Sequence, residues 1–319
     1  MRLTLCLLLA LATALPLAAG DDGPERLMKS GHADDALHAL NLHVQDNPRD
    51  AVAFNLLSRT YYQLEIWDTA MLMAEKSIAL DPRNSLYHQW LGRAAGRKAE
   101  VSNPFTAFTL ARKVRSEFER AVAFDPNNIS ARADLAEYYL EAPGFLGGDK
   151  NKARLQADAI AAHDPALARY VMARIEEKRG TGKAEEEYKK AIEASADDAA
   201  RYWIELASYY RRAGRTQDME SAITQSLAAT RQVAVPEFDG ASMLLVAGRN
   251  FPGAVQMVRH YLAGEPVSED APAFQAHLLL GQLLEKQGDR RSAADQYRAA
   301  LELASQFRPA RDALARVSR

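Results

Sequence analysis

The chain has 319 residues, 48% of them apolar and 26% charged. That is enough apolar material to bury a core, which excludes a disordered chain. A formal net charge of −2 leaves no basic excess to neutralise phosphates, so nucleic acid is not an expected partner.

The N-terminus reads as a targeting segment. Arg2 supplies a positive start, Leu3 to Leu15 is apolar apart from two threonines, and Leu17-Ala18-Ala19-Gly20 gives small residues before Asp21-Asp22. This is the layout of a cleavable secretory signal over residues 1–20, and the run is too short to span a bilayer. The expected mature chain is 21–319, periplasmic or secreted. The single cysteine, Cys6, lies inside the apolar run, so cleavage would leave a chain without disulfides or cysteine-ligated metal. No second apolar span follows, so no integral membrane segment is expected after cleavage.

Prolines then mark a period. Pro48 and Pro82 are 34 apart; Pro82 to Pro126 is 44, ten more; Pro126 to Pro165 is 39, five more. Twelve residues before successive prolines stand Ala36, Ala70, Ala153 and Ala254, with Val114 the exception. A small residue belongs where two helices cross closely. Further positions agree: Leu280-Gly281, Gly288, Ala293, Tyr297 and Ala300 in one unit, and Trp203, Leu206-Ala207, Tyr210 and Gly214 in another. A period of about 34 with these residues is a helix–turn–helix unit. On these positions the chain resembles the tetratricopeptide-repeat family over nearly all of 21–319, in the manner of exported bacterial repeat proteins without a known activity.

The resemblance implies an all-α, right-handed superhelical solenoid. Seven to eight units are expected, at about 24–50, 51–84, 85–128, 129–165, 166–198, 199–233, 235–268 and 272–304. Pro24 suits the first position of the first helix. A last helix over about 308–317, with Leu314 and Val317 on one side and Arg311, Asp312, Arg316 and Arg319 elsewhere, is expected to cap the array. The pairs Asp81-Pro82, Asp125-Pro126 and Asp164-Pro165 are expected to end second helices.

Two neighbouring units carry extra residues, near 96–105 and 141–150. Both insertions are expected as loops between the helices of their unit, side by side on one edge. Phe105, Pro143, Phe145, Gly147 and Gly148 are their candidate functional residues. Pro104 and Phe105 are expected near Pro143 and Phe145, as a fixed flap.

The glycines Gly144, Gly147 and Gly148 do not have phosphate-loop spacing, because Asp149 separates Gly148 from Lys150. No metalloprotease or nucleophile-elbow motif occurs. His32, His38 and His43 stand six and five apart, which puts them on different helix faces and not in a metal-ligating pair. No metal, cofactor or catalytic residue is therefore assigned.

A curved solenoid presents the first helix of each unit on its concave side. In the phasing the resemblance implies, the groove holds Asn55, Arg59, Tyr62, Gln89, Trp90, Arg93, Glu137 and Leu140, a mixture rich in hot-spot residue types. The sequence thus points to a non-catalytic scaffold for a protein or peptide in the cell envelope. The alternative is a small-molecule-binding accessory protein of an envelope uptake or assembly system.

Overall fold

Several helices begin where a short polar side chain can take up free backbone N–H groups. Asp50 accepts from the Ala53 N–H, Asn103 from Thr106, Asn128 from Ala131, Asp164 from Leu167 and Asp289 from Ser292. Seventeen α-helices result in a computed structural model that describes residues 23–196, 198–230 and 235–318. The 1–20 signal and Arg319 lie outside the described residues.

In chain order the units are α1 (Pro24–Ser30) and α2 (Ala33–Asp46), α3 (Ala51–Gln63) and α4 (Trp67–Leu80), α5 (Ser85–Glu100) and α6 (Pro104–Phe124), α7 (Ile129–Glu141) and α8 (Lys150–Ile160). There follow α9 (Pro165–Arg179) and α10 (Ala184–Ala194), α11 (Ala199–Arg212) and α12 (Thr216–Ala229), α13 (Val235–Ala247) and α14 (Phe251–Ala263), α15 (Ala273–Lys286) and α16 (Arg290–Leu303). The helix α17 (Arg308–Val317) closes the chain. The fold is an all-α helical repeat solenoid. No helix among the described residues is long and apolar enough to cross a membrane.

The small-residue positions do what close helix crossing requires. Ala36, Ala70, Ala153 and Ala254 are fully buried, and Val114 is buried with them. First helices pack on first helices of the next unit, α3 on α5, α5 on α7, α7 on α9, α11 on α13 and α13 on α15. They therefore form the inner wall. On α17, Val317 is buried, Leu314 packs against the core, and Arg316 reaches out to Glu285.

Three expectations are corrected. Asp164-Pro165 does not end a second helix: α8 stops at Ile160, Asp164 caps α9 and Pro165 is its first residue. By contrast Asp81 and Asp125 do stand just after α4 and α6. The ten extra residues near 96–105 are not a loop. They lengthen both helices, α5 to 16 residues and α6 to 21, and leave a short turn at 101–103. Asn103 and Pro104 are a cap and first-position pair that restarts the helix there. The third correction concerns the groove, which is not open along its length.

The array turns back on itself. Met28, Ala33, Leu37 and Leu40 of the first unit share one core with Phe274, Ala300, Phe307 and Ala310 of the last unit and cap. The Asp34 carboxylate accepts the Ser305 N–H at 2.9 Å. The connection 264–272 is longer than the other described inter-unit links and reaches from α14 to α3. First and last units thus meet along a seam.

Candidate interaction surface

Arg59, on α3, lies at this seam. Its Nε and Nη2 donate to the two carboxylate oxygens of Glu269 at 2.8 and 2.7 Å, a bidentate pair. Gln63, one turn on, donates to the Glu269 carbonyl at 3.0 Å, and Gln275 donates back to the Gln63 carbonyl at 3.0 Å. Burial lowers the Arg59 guanidinium, but the bonds and charge of Glu269 outweigh it and hold it above its ordinary value. Arg59 is therefore a closing contact of the ring and not a free groove cation.

Trp90, on α5, is buried between two guanidinium groups, with Arg59 at 5.5 Å and Arg93 at 4.8 Å from its ring centre. Tyr62 meets it edge-on at 5.4 Å. Arg93 donates to Asp134 at 2.7 Å and to Ser130 at 2.9 Å. Gln89 is buried and donates to the same two side chains. Asn128 donates to Gln89 and Ser85 while capping α7. These polar groups hold unit three to unit four.

The pattern continues at Glu137, which takes two bonds from Arg174; Arg174 also pairs with Glu141 and Glu177. Asn55 is buried, and its amide nitrogen has no acceptor among the described residues. Leu140 is core, packed with Leu135 and Tyr139. The eight sequence candidates are thus all on α3, α5 and α7, but most of their polar atoms are already engaged between units. Helical phase could place the side chains; it could not reveal their partners across units.

Farther along the wall the balance turns acidic. Burial pushes the Asp239 carboxyl, on α13, up to about 7; Glu205 and Asp270 push the same way and Arg201 opposes. An unfolded aspartate titrates near about 4. The folded state holds this proton more tightly, so the stabilisation is complete below about pH 4 and is lost as pH rises through about 7. Asp239→Asn is expected to raise stability above pH 7 by on the order of 2 kcal/mol and to change little near pH 4. Urea midpoints at the two pH values test this, and equal gains at both would refute it.

The inserted edge is partly as expected. Residues 144–146 form a 3-10 turn, and its Leu146 carbonyl accepts from the Tyr138 hydroxyl at 2.9 Å. Pro143 accepts backbone bonds from Leu146 and Gly148 and is itself exposed. Gly147 has φ +95°, and a Cβ on Gly148 would stand 1.7 Å from the Ala142 carbonyl oxygen, so both glycines are required by the turn itself. The flap is fixed, but in another register. Phe145 stacks on Phe108 at 6.4 Å, one helical turn beyond Phe105. Phe105 and Phe145 remain 88% and 78% exposed.

The sequence reasoning missed Glu269 and Asp270. A signal for them existed, because the helical patterns ending at Ala263 and resuming at Ala273 are spaced more widely than in other units.

The tetratricopeptide-repeat family model matches residues 274–307, the α15–α16 hairpin and the start of the cap. The same hairpin recurs through the described chain. The last unit is thus a tetratricopeptide repeat by sequence. No curated protein matches the chain in sequence. Among solved structures it is similar to a thermophilic tetratricopeptide-repeat protein of Thermus thermophilus, with 21% identity, TM-score 0.48, 58% of this chain covered and 96% of that one. A tetratricopeptide repeat protein from Parabacteroides merdae is 13% identical with TM-score 0.42, covering 93% of this chain and 99% of that one. YrrB, described as having an unusual peptide-binding site, is 12% identical with TM-score 0.37, covering 60% and 92%.

Proposed function

We propose that this helical-repeat protein is a non-catalytic scaffold that binds a protein or peptide against its inner wall. The carrying observation is the first-helix wall: α3, α5, α7 and α9 pack in succession, as do α11, α13 and α15. Aromatic and Arg groups stand at one end and Glu205 and Asp239 at the other. Rings and guanidinium groups held rigidly by neighbours lose little freedom on binding, which favours affinity. The Leu-rich segment at 3–15 and Ala18-Ala19-Gly20 support export to the cell envelope as the setting.

Photo-crosslinking in the native host tests the reading. A photoreactive residue at Tyr62 or Glu137 is expected to capture a protein partner, and one at Lys189, exposed on the second helix α10, is not. Equal capture at both faces, or none at either inner position, overturns it. N-terminal sequencing of the protein from its host tests export; an intact Met1 would refute cleavage.

A further inference from the structure

The turn between first and second helices is left-handed in most units, and glycine occupies it. Gly31, Gly180, Gly214, Gly248 and Gly288 have φ between +65° and +87°. In the second unit the same place is held by Glu65, at φ +60°. A glutamate is strained there and glycine is not. Strain of this kind persists where the residue serves something other than the turn.

Glu65 borders a cavity of about 310 Å³ at the seam, between the α3–α4 turn and the 264–272 connection. That size is at the lower end for small-ligand sites, about 300–1,000 Å³, and suits one side chain or a small molecule. Tyr62 and Trp67 form one side, edge-to-face at 5.3 Å. Gln63 and Asp270 complete the lining the argument needs.

The buried polar atom left free here is an acceptor. Gln63 is 3% exposed, and its Nε2 is committed to the Glu269 carbonyl. Its Oε1 is buried and accepts nothing among the described residues. A buried amide oxygen left without a donor is costly, so it calls for a donor from outside the chain. The carboxylates of Glu65 and Asp270 also have no hydrogen bond or ion pair among the described residues, and both are exposed at the mouth. Burial is the largest influence on Glu65 and raises its carboxyl above the ordinary value, against the charges of Arg97 and Arg308. The one cationic side chain in the lining, Arg97, lies over the Trp67 ring at 5.5 Å and is bonded to Glu100 at 2.5 Å. An anion entering this space would meet two carboxylates and an amide oxygen. A cation would satisfy all three.

We propose that the seam cavity binds an organic cation, the primary ammonium or guanidinium group of a basic residue or of a free amine. Glu65 and Asp270 meet its charge, Gln63 Oε1 accepts one of its N–H groups, and the Tyr62–Trp67 wall covers its aliphatic stem. The site requires only the closed seam; it rests on the scaffold reading only where the cation belongs to a bound peptide.

Calorimetric titration of the full chain tests this. The probes are the N-acetyl methylamides of lysine and arginine, with the norleucine derivative as the neutral control of similar shape. A pentapeptide with a central lysine flanked by glycines forms the second arm. The cationic probes are expected to bind and norleucine is not. Glu65→Gly and Asp270→Asn should each weaken binding about tenfold or more. Glu65→Gly relieves the backbone strain, so its melting temperature should equal or exceed that of the parent, which separates lost binding from lost folding. Tighter binding of the pentapeptide than of capped lysine assigns a peptide source, and equal affinity a free amine. Norleucine binding as well as lysine, no binding of either cation at millimolar concentration, or unchanged affinity in Glu65→Gly overturns the site. An inner-wall crosslink to a protein together with silent cation titrations would remove this site and leave the scaffold standing.

Discussion

Phe307→Ala is expected to destabilise the protein by about 3–5 kcal/mol. Phe307 is 1% exposed and sits at the cap of α17. Its ring meets Phe274 of α15 edge-on at 4.8 Å, a favourable aromatic geometry. Truncation leaves a cavity in a core shared by Met28, Leu37 and Leu40 of the first unit with Ala300 and Ala310 of the last unit and cap. In an open repeat array such a loss stays near its own repeat, because each unit touches only its neighbours. Here the same ring supports both ends of the chain. Hydrogen exchange is therefore expected to rise in α1 and α2 together with α16 and α17. Increased exchange confined to α16 and α17 would mean that the first unit does not rest on the last. Phe307→Leu keeps most of the volume and should cost less than about 1.5 kcal/mol.

The period and the unit boundaries were legible because they rest on local chemistry. Pro24 starts α1, Ala36, Ala70, Ala153 and Ala254 sit at crossings, and the amphipathic run at 308–317 is a helix packed on its neighbours. Insertion length was legible too, but not its form. The residues Arg97-Lys98-Ala99-Glu100 continue a helix as readily as they make a loop, and only Asn103-Pro104 told where the next helix starts. Asp164-Pro165 misled because one dipeptide serves two purposes, stopping a helix in principle and capping the following one in fact. The wall was legible as a face and illegible as a set of partners. Helical phase puts Gln89 and Arg93 on α5, yet Asp134 engages both from the next unit. The seam left only the wider spacing between Ala263 and Ala273 as a trace, since its contacts join residues some 210 positions apart.

Glu269→Ala is expected to cost about 3 kcal/mol, more than its place on a connecting segment suggests. The Arg59 side chain is 11% exposed, and Glu269 supplies both of its short bonds. Removing that carboxylate leaves a shielded guanidinium with only Glu25, at 3.5 Å. Such an orphaned charge accounts for most of the penalty when one partner of a shielded pair is deleted. The Gln63 bond to the Glu269 backbone carbonyl does not depend on the side chain and should survive. Arg59→Met combined with Glu269→Ala removes the orphan and should recover a large part of the stability. The double-mutant cycle is therefore expected to show a coupling of about 1.5 kcal/mol or more. Denaturation midpoints of the four proteins give that number. Additive losses would show that Arg59 and Glu269 are a surface pair that solvent already screens, and the seam would then rest on the Phe274–Phe307 core and the hydrogen bonds of Asp34, Gln63 and Gln275.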